Sequence, residues 1–248
     1  MTDFLLVTDL DNTLVGDDEA LAELNDYLSH HRQQFGTKIV YSTGRSQALY
    51  HQLTTEKTLL QPDFLILSVG TEIYLTHSDT PDPNWANALS QNWDRDLVVA
   101  TAAHFADLTP QPDTEQRPFK VSYFLTETAA VEVLPQLEHL LQERGLDVQL
   151  IYSGSIDLDI LPRRANKGMA MSFLRDYLEI APDHTVACGD SGNDLSMFAN
   201  RDERGIIVGN AMPELLHWHQ LNPSPHRYLA KGHCAAGILE GLKYFGFL

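Results

Sequence analysis

The chain has 248 residues and carries 34 acidic side chains against 17 lysines and arginines, a formal charge of −17. That balance excludes the basic footprint a nucleic-acid partner needs, and the 43% hydrophobic and 21% charged residues suit one large or two modest globular domains. Two cysteines, Cys188 and Cys234, cannot build a disulfide framework and read as buried thiols. No apolar run reaches membrane-spanning length and no basic-then-apolar leader opens the chain, so a cytoplasmic protein with no membrane contact is expected.

Phe4 to Val7 is an apolar, partly β-branched run that reads as a buried strand. It delivers two carboxylates, Asp9 and Asp11, followed by Thr13 and Gly16. Asp17 and Asp18 precede a helical pattern with Leu21, Leu24 and Leu28 on one face. A second strand, Lys38 to Tyr41, ends in Ser42-Thr43-Gly44-Arg45-Ser46 before a helix to about Glu56. A third, Phe64 to Leu67, ends in Ser68-Val69-Gly70-Thr71-Glu72. Strands alternating with helices predict an α/β fold with a doubly wound, mostly parallel sheet, whose C-terminal rim is where ligands bind.

The rhythm changes near Ser78, where a turn-rich segment runs to Asn84. From Trp85 to Phe105 the pattern predicts one helix, with Asn84 as its N-cap. A strand over 119–124 follows, then a helix from about Glu127 to Arg144 that contains Pro135 and stops at Gly145. Strands at Val148 to Tyr152 and Ile156 to Leu161 complete an α+β insert. The first rhythm returns with a helix opened by Asn166-Lys167-Gly168 and a strand from Thr185 to Cys188. That strand ends in Gly189-Asp190-Ser191-Gly192-Asn193-Asp194; a strand over 205–208 and a closing helix from about Ala235 follow. The expected division is a Rossmann-like core, residues 1–80 and 165–248, around an inserted α+β domain, residues 81–164.

A doubly wound sheet can bring Asp9 and Asp11 beside Asp190 and Asp194. Hard oxygen ligands in that number suit Mg²⁺, which keeps waters and pairs with phosphate. Asp9 then reads as nucleophile or metal ligand and Asp11 as proton donor. Thr43-Gly44 offers a hydroxyl and open backbone N–H groups, a small anion cradle. Lys167 is misplaced at a helix start, where the macrodipole disfavours a cation; a phosphoryl oxygen in front of it explains the placement. His217, His219, His226 and His233 have irregular spacing and no ligating cysteine, and read as surface histidines rather than a zinc site.

Asp9-Leu10-Asp11-Asn12-Thr13, Ser42-Thr43-Gly44-Arg45, Lys167 and the 189–194 segment resemble, in order and spacing, the four motifs of the haloacid dehalogenase superfamily of phosphohydrolases. The insert lies where that superfamily places its larger cap. More narrowly, Val69 to Tyr74, Lys120 to Tyr123, Asp157 to Pro162 and Asn210 to Leu216 resemble the sucrose-phosphate phosphatase family. The resemblance implies Mg²⁺-dependent hydrolysis of sucrose 6-phosphate through an aspartyl-phosphate on Asp9, with Asp11 as general acid and base. It implies metal ligation by the Asp9 and Asp190 carboxylates and the Asp11 carbonyl, with Asp194 orienting Lys167. Thr43, Lys167 and backbone N–H groups near Leu10, Asp11 and Gly44 would hold the phosphoryl oxygens, with Asn193 beside them. Arg45, Glu72, Lys120, Tyr123, Asp157 and Asp159 are the candidate sugar contacts. A monomer is expected, and an association with sucrose-phosphate synthase is left open. The alternatives are a trehalose-phosphate or mannosyl-phosphoglycerate phosphatase, a phosphomannomutase-like enzyme, or an inactive regulatory module of the synthase.

Overall fold

The computed structural model describes residues 3–75, 78–199 and 202–248. The chain divides into two compact units, residues 1–81 with 167–248, and residues 82–166.

The larger unit is built on a seven-stranded sheet. Its first half contributes β1 (Leu5–Thr8), α1 (Asp18–Phe35), β2 (Lys38–Ser42), α2 (Gln47–Glu56), β3 (Phe64–Leu67) and β4 (Glu72–Leu75). The second unit holds α3 (Pro83–Leu89), α4 (Arg95–Ala102), β5 (Thr109–Pro110), β6 (Val121–Phe124), α5 (Glu127–Glu143), β7 (Val148–Ser153) and β8 (Asp157–Pro162). The chain then returns through α6 (Lys167–Tyr177), β9 (Thr185–Gly189), α7 (Leu195–Phe198), β10 (Arg204–Ile207), α8 (Pro213–Leu221), β11 (Arg227–Leu229) and α9 (Cys234–Phe245).

Strand order in the large sheet is β11-β10-β9-β1-β2-β3-β4. Every neighbouring pair is parallel except the antiparallel β3–β4 edge. The expected mostly parallel sheet is therefore the observed one. β1 sits inside it with all four residues buried, which accounts for its continuous apolar run. Against the sheet, α1 buries Leu21, Leu24 and Leu28, the stripe its periodicity predicts, and packs beside α9. Asp17 caps α1 by accepting from the Glu19 and Ala20 N–H groups at 3.1 Å.

The second unit is an antiparallel sheet, β5-β6-β8-β7, with one face covered by helices. Val121, Tyr123, Leu158, Ile160 and Val148 pack there with Ala130, Val133, Leu137 and Leu141 of α5. The single helix expected over 85–105 is two. Asp82 and Asp94 cap α3 and α4, accepting from Trp85 N–H at 2.8 Å and Leu97 N–H at 3.0 Å. Pro83 sits at the first helical position, which moves the cap from Asn84 to Asp82. Asn92, at φ 57°, makes the break between the two helices. Among the described residues, no helix is long and apolar enough to cross a membrane.

Candidate active site

β1 and β9 run side by side in the same direction, with Thr8 opposite Cys188. Both strands end at the same rim, so Asp9 follows one and Asp190 the other, although most of the chain separates them. The Asp9 N–H donates to the Cys188 carbonyl at 3.0 Å, which fixes this register one residue past the strand. Asp9, Asp190 and Asp194 are all buried, and a carboxylate oxygen from each lies within 4.8 Å of the others.

Lys167, at the start of α6, reaches into this cluster. Its Nζ donates to Asp9 Oδ1 at 2.7 Å and to Asp194 Oδ1 at 2.6 Å, and no part of the side chain is exposed. Two glycines make that approach feasible. A Cβ on Gly168 would lie 2.0 Å from the Ser196 carbonyl oxygen, so only glycine lets α6 start against α7. A Cβ on Gly189 would lie 2.5 Å from the Asp194 Cβ. The second oxygen of Asp194 accepts from the N–H groups of Asp190 and Ser191 at 3.0 and 3.1 Å. Asp194 is thus held on both sides, and it holds Lys167.

The charges do not balance. Burial pushes the Asp9 carboxyl up to about 7; Lys167 pulls it down, while Asp194 and Asp190 push it further up. Burial likewise raises Asp190 to about 6, against the Thr13 hydroxyl, which donates to its Oδ1 at 2.8 Å. Burial alone would lower Lys167, but Asp194 and Asp9 outweigh it and its pKa rises. Three carboxylates facing one ammonium leave a buried deficit of positive charge. Hard oxygen donors in excess are the donor set of Mg²⁺, and a divalent cation would correct the deficit. The residues present fit that ion.

Asp11 is placed differently. Its side chain is half-exposed and forked by Arg45, with Nε to Oδ2 at 2.8 Å and Nη2 to Oδ1 at 2.7 Å. The same contact raises the Arg45 pKa above its usual value. Thr43 is buried beyond the end of β2, and its Oγ1 accepts from the Arg45 N–H at 3.1 Å. The loop over 43–45 is clamped from the turn after β3. Ser68 N–H donates to the Arg45 carbonyl and Val69 N–H to the Thr43 carbonyl, at 3.0 and 3.2 Å. Ser68 and Val69 both sit at positive φ, 51° and 61°, a conformation that costs a non-glycine residue on the order of 1–3 kcal/mol. Strain of this kind collects at functional rims.

The other candidates divide. Leu10 is a core residue whose carbonyl accepts from Thr13, Leu14 and Val15, closing the turn that carries Asp11. Asn193 lies in the short turn before Asp194, beside the Ser191 hydroxyl at 3.4 Å. Glu72 is buried at the start of β4, where it accepts from the Tyr74 hydroxyl at 3.2 Å. In the second unit, strand alternation sorts the four cap residues. Asp159 pairs across the ladder with Ser122, and Asp157 with Phe124. Ser122 donates to Asp159 Oδ1 at 2.6 Å, Lys120 Nζ stands 3.4 Å from the same oxygen, and Gln111 donates to Asp157 Oδ1 at 2.9 Å. These groups form one polar face. Tyr123 turns the other way and is buried in the apolar cluster under the helices. Thr13 is absent from the sequence-derived site, although the Asp-x-Asp-x-Thr spacing contains it.

The sequence model of the sucrose-6F-phosphate phosphohydrolase family matches residues 2–246. A probable sucrose-phosphatase of Arabidopsis thaliana is 44% identical over 97% of this chain, and the match spans 59% of that relative. The chain thus spans little more than half the length of the plant relatives it matches. The mannosylfructose-phosphate phosphatase of Agrobacterium fabrum is 35% identical over 98% of this chain and 96% of its own length. Among solved structures, the sucrose-phosphatase of Synechocystis in complex with sucrose and phosphate superposes with a TM-score of 0.89. It is 42% identical and covers 99% of this chain and 98% of that one. The chain belongs to the sucrose-6F-phosphate phosphohydrolase family, within the haloacid dehalogenase superfamily.

Proposed function

We propose that this chain hydrolyses sucrose 6-phosphate to sucrose and phosphate, with Mg²⁺ as its cofactor. The observation that carries the reading is the fully buried Lys167 bridging Asp9 and Asp194 beside Asp190. Lys167 occupies one oxygen of Asp9 and leaves Oδ2 to form the bond to phosphorus. As that bond forms, the bond from phosphorus to the sugar oxygen breaks and its electron pair leaves with the sugar. Asp11 supplies the proton that the departing oxygen takes up. Asp11 then accepts a proton from water, whose oxygen attacks phosphorus and releases Asp9. Because both Asp11 oxygens are acceptors in the Arg45 fork, proton transfer requires Arg45 to release it.

Thr43, the Gly44 N–H and Lys167 hold the phosphoryl oxygens, and such positioned donors supply most of the rate in phosphoryl transfer. The carboxylates of Asp9 and Asp190 and the main-chain carbonyl of Asp11 would hold Mg²⁺, which supplies positive charge to those oxygens. The polar face of Lys120, Ser122, Asp157 and Asp159 suits sugar hydroxyls, each side chain offering a donor or an acceptor. Arg45 and Glu72 are assigned to the sugar phosphate as well. Two free, buried thiols suit a reducing cytoplasm, the compartment assigned to the chain in this reading.

The 35% identity to a mannosylfructose-phosphate phosphatase favours a second substrate reading. Phosphate release from sucrose 6-phosphate, mannosylfructose phosphate, trehalose 6-phosphate and hexose phosphates separates them. Sucrose 6-phosphate is expected to lead, and Asp9→Asn to abolish turnover in a folded protein. Faster release from another member of the panel, or interconversion of hexose phosphates, would overturn the assignment.

A further inference from the structure

The segment after β10, Asn210-Ala211-Met212-Pro213, takes no part in the chemistry above. Asn210 nevertheless joins the turn carrying Asp11 to the start of α9. Its Nδ2 donates to the Asn12 carbonyl at 2.7 Å, and its Oδ1 accepts from the Cys234 N–H at 2.8 Å. Cys234 Sγ reaches the same Asn12 carbonyl at 3.4 Å. Asn12 and Cys234 both lie at positive φ, 58° and 48°, so two reversed residues converge on one amide. Two residues on, the Met212 N–H donates to the Asp190 carbonyl at 2.7 Å.

Asn12 lies between the Asp11 carbonyl and Thr13, whose hydroxyl donates to Asp190. Holding its carbonyl fixes the Asn12–Thr13 peptide plane, and the reversed φ at Asn12 relates that plane to the one carrying the Asp11 carbonyl. A planar amide suits the task, since one side chain supplies the donor for Asn12 and the acceptor for Cys234. We propose that Asn210 is a positioning residue that aims the Asp11 carbonyl and the Thr13 hydroxyl for Mg²⁺ binding. The inference rests on the metal site proposed above, with the Asp11 carbonyl as a ligand.

The test is thermal unfolding of the full chain titrated with MgCl₂ alone, together with steady-state kinetics on sucrose 6-phosphate. Asn210→Asp keeps the acceptor and loses the donor, and Asn210→Ala loses both. Each is expected to need about tenfold or more Mg²⁺ for the half-maximal rise in Tm, as when groups that orient metal ligands are removed. kcat should fall by a similar factor while KM stays within about twofold. Cys234→Ala keeps the amide bridge and is expected to retain the wild-type Mg²⁺ requirement. A brace that is structural alone would lower the metal-free Tm and leave the Mg²⁺ midpoint where it is, and that result overturns the inference. So does a Cys234→Ala variant as impaired as Asn210→Asp. Wild-type protein that neither gains stability from Mg²⁺ nor releases phosphate would instead sink the metal site itself.

Discussion

Lys167 carries the charge balance of the site. It is wholly buried between two carboxylates, and removing one member of such a group strands the others. Lys167→Met, close in length and uncharged, is expected to cost about 3–5 kcal/mol in urea unfolding. Turnover should fall by at least about 10²–10³-fold, the range for losing one positioned donor. Near-wild-type stability in this variant would mean that Asp9 and Asp194 need no cation. Lys167 was legible in the sequence because a lysine at a helix start contradicts the macrodipole, and a contradiction draws attention. Asp9 and Asp190 were legible for a similar reason, as charges delivered by apolar strands. The Arg45–Asp11 fork was not, although both residues were singled out. Their pairing depends on how far the β2 loop reaches along the rim, and spacing does not encode that. Thr13 and Asn210 stand in segments that carry the resemblance, but their bonds to Asp190 and to the Asn12 carbonyl do not show in the spacing, since a threonine or asparagine in a turn ordinarily satisfies its own backbone.

At the scale of elements, what could be read followed from the chemistry of the ends. Gly36, Gly145 and Gly246, all at positive φ, close α1, α5 and α9, and glycine announces such a stop. α6 ends without one. Glu179 takes the left-handed position at φ 55°, while the Ile180 N–H donates back to the Arg175 carbonyl at 3.1 Å. A glutamate there bears a strain that glycine would not, so Glu179→Gly is expected to stabilise the fold by about 1 kcal/mol. Chemical denaturation reads this directly, and a loss of stability would mean that the Glu179 side chain makes a compensating contact. The break between α3 and α4 is hidden because periodicity runs on through Asn92, while the Asp94 cap restarts the helix. β4, β5 and β11, short strands of two to four residues at sheet edges, carry too little pattern to read.

For the whole molecule, the −17 charge and the buried acids of the rim make stability depend on pH and, on the reading proposed above, on Mg²⁺. Asp9 and Asp190 have folded pKa values of about 7 and about 6, above the ordinary 3.8. The metal-free folded state therefore binds more protons than the unfolded chain between about pH 4 and 7. Its stability must fall as pH rises through that window. His31 acts in the opposite sense. Burial depresses its pKa below 6.5, so its contribution is complete above that pH and is lost as pH falls further. His219, likewise depressed by burial, acts as His31 does, so between about pH 6.5 and 8 the carboxylates set the trend and the metal-free Tm is expected to decline. Mg²⁺ held at the proposed site would need both carboxylates ionised, so its binding would remove the protons that stabilise the metal-free form. The Tm gain on adding saturating Mg²⁺ should consequently be larger at pH 8 than at pH 5.5. Calorimetry in buffers of different ionisation enthalpy should find more protons released per ion at pH 6 than at pH 8. A Mg²⁺ effect independent of pH, with no proton release, would place the ion away from Asp9 and Asp190. At pH 8, excess EDTA should return the protein to the metal-free curve, because it takes up the ion that would supply the missing positive charge.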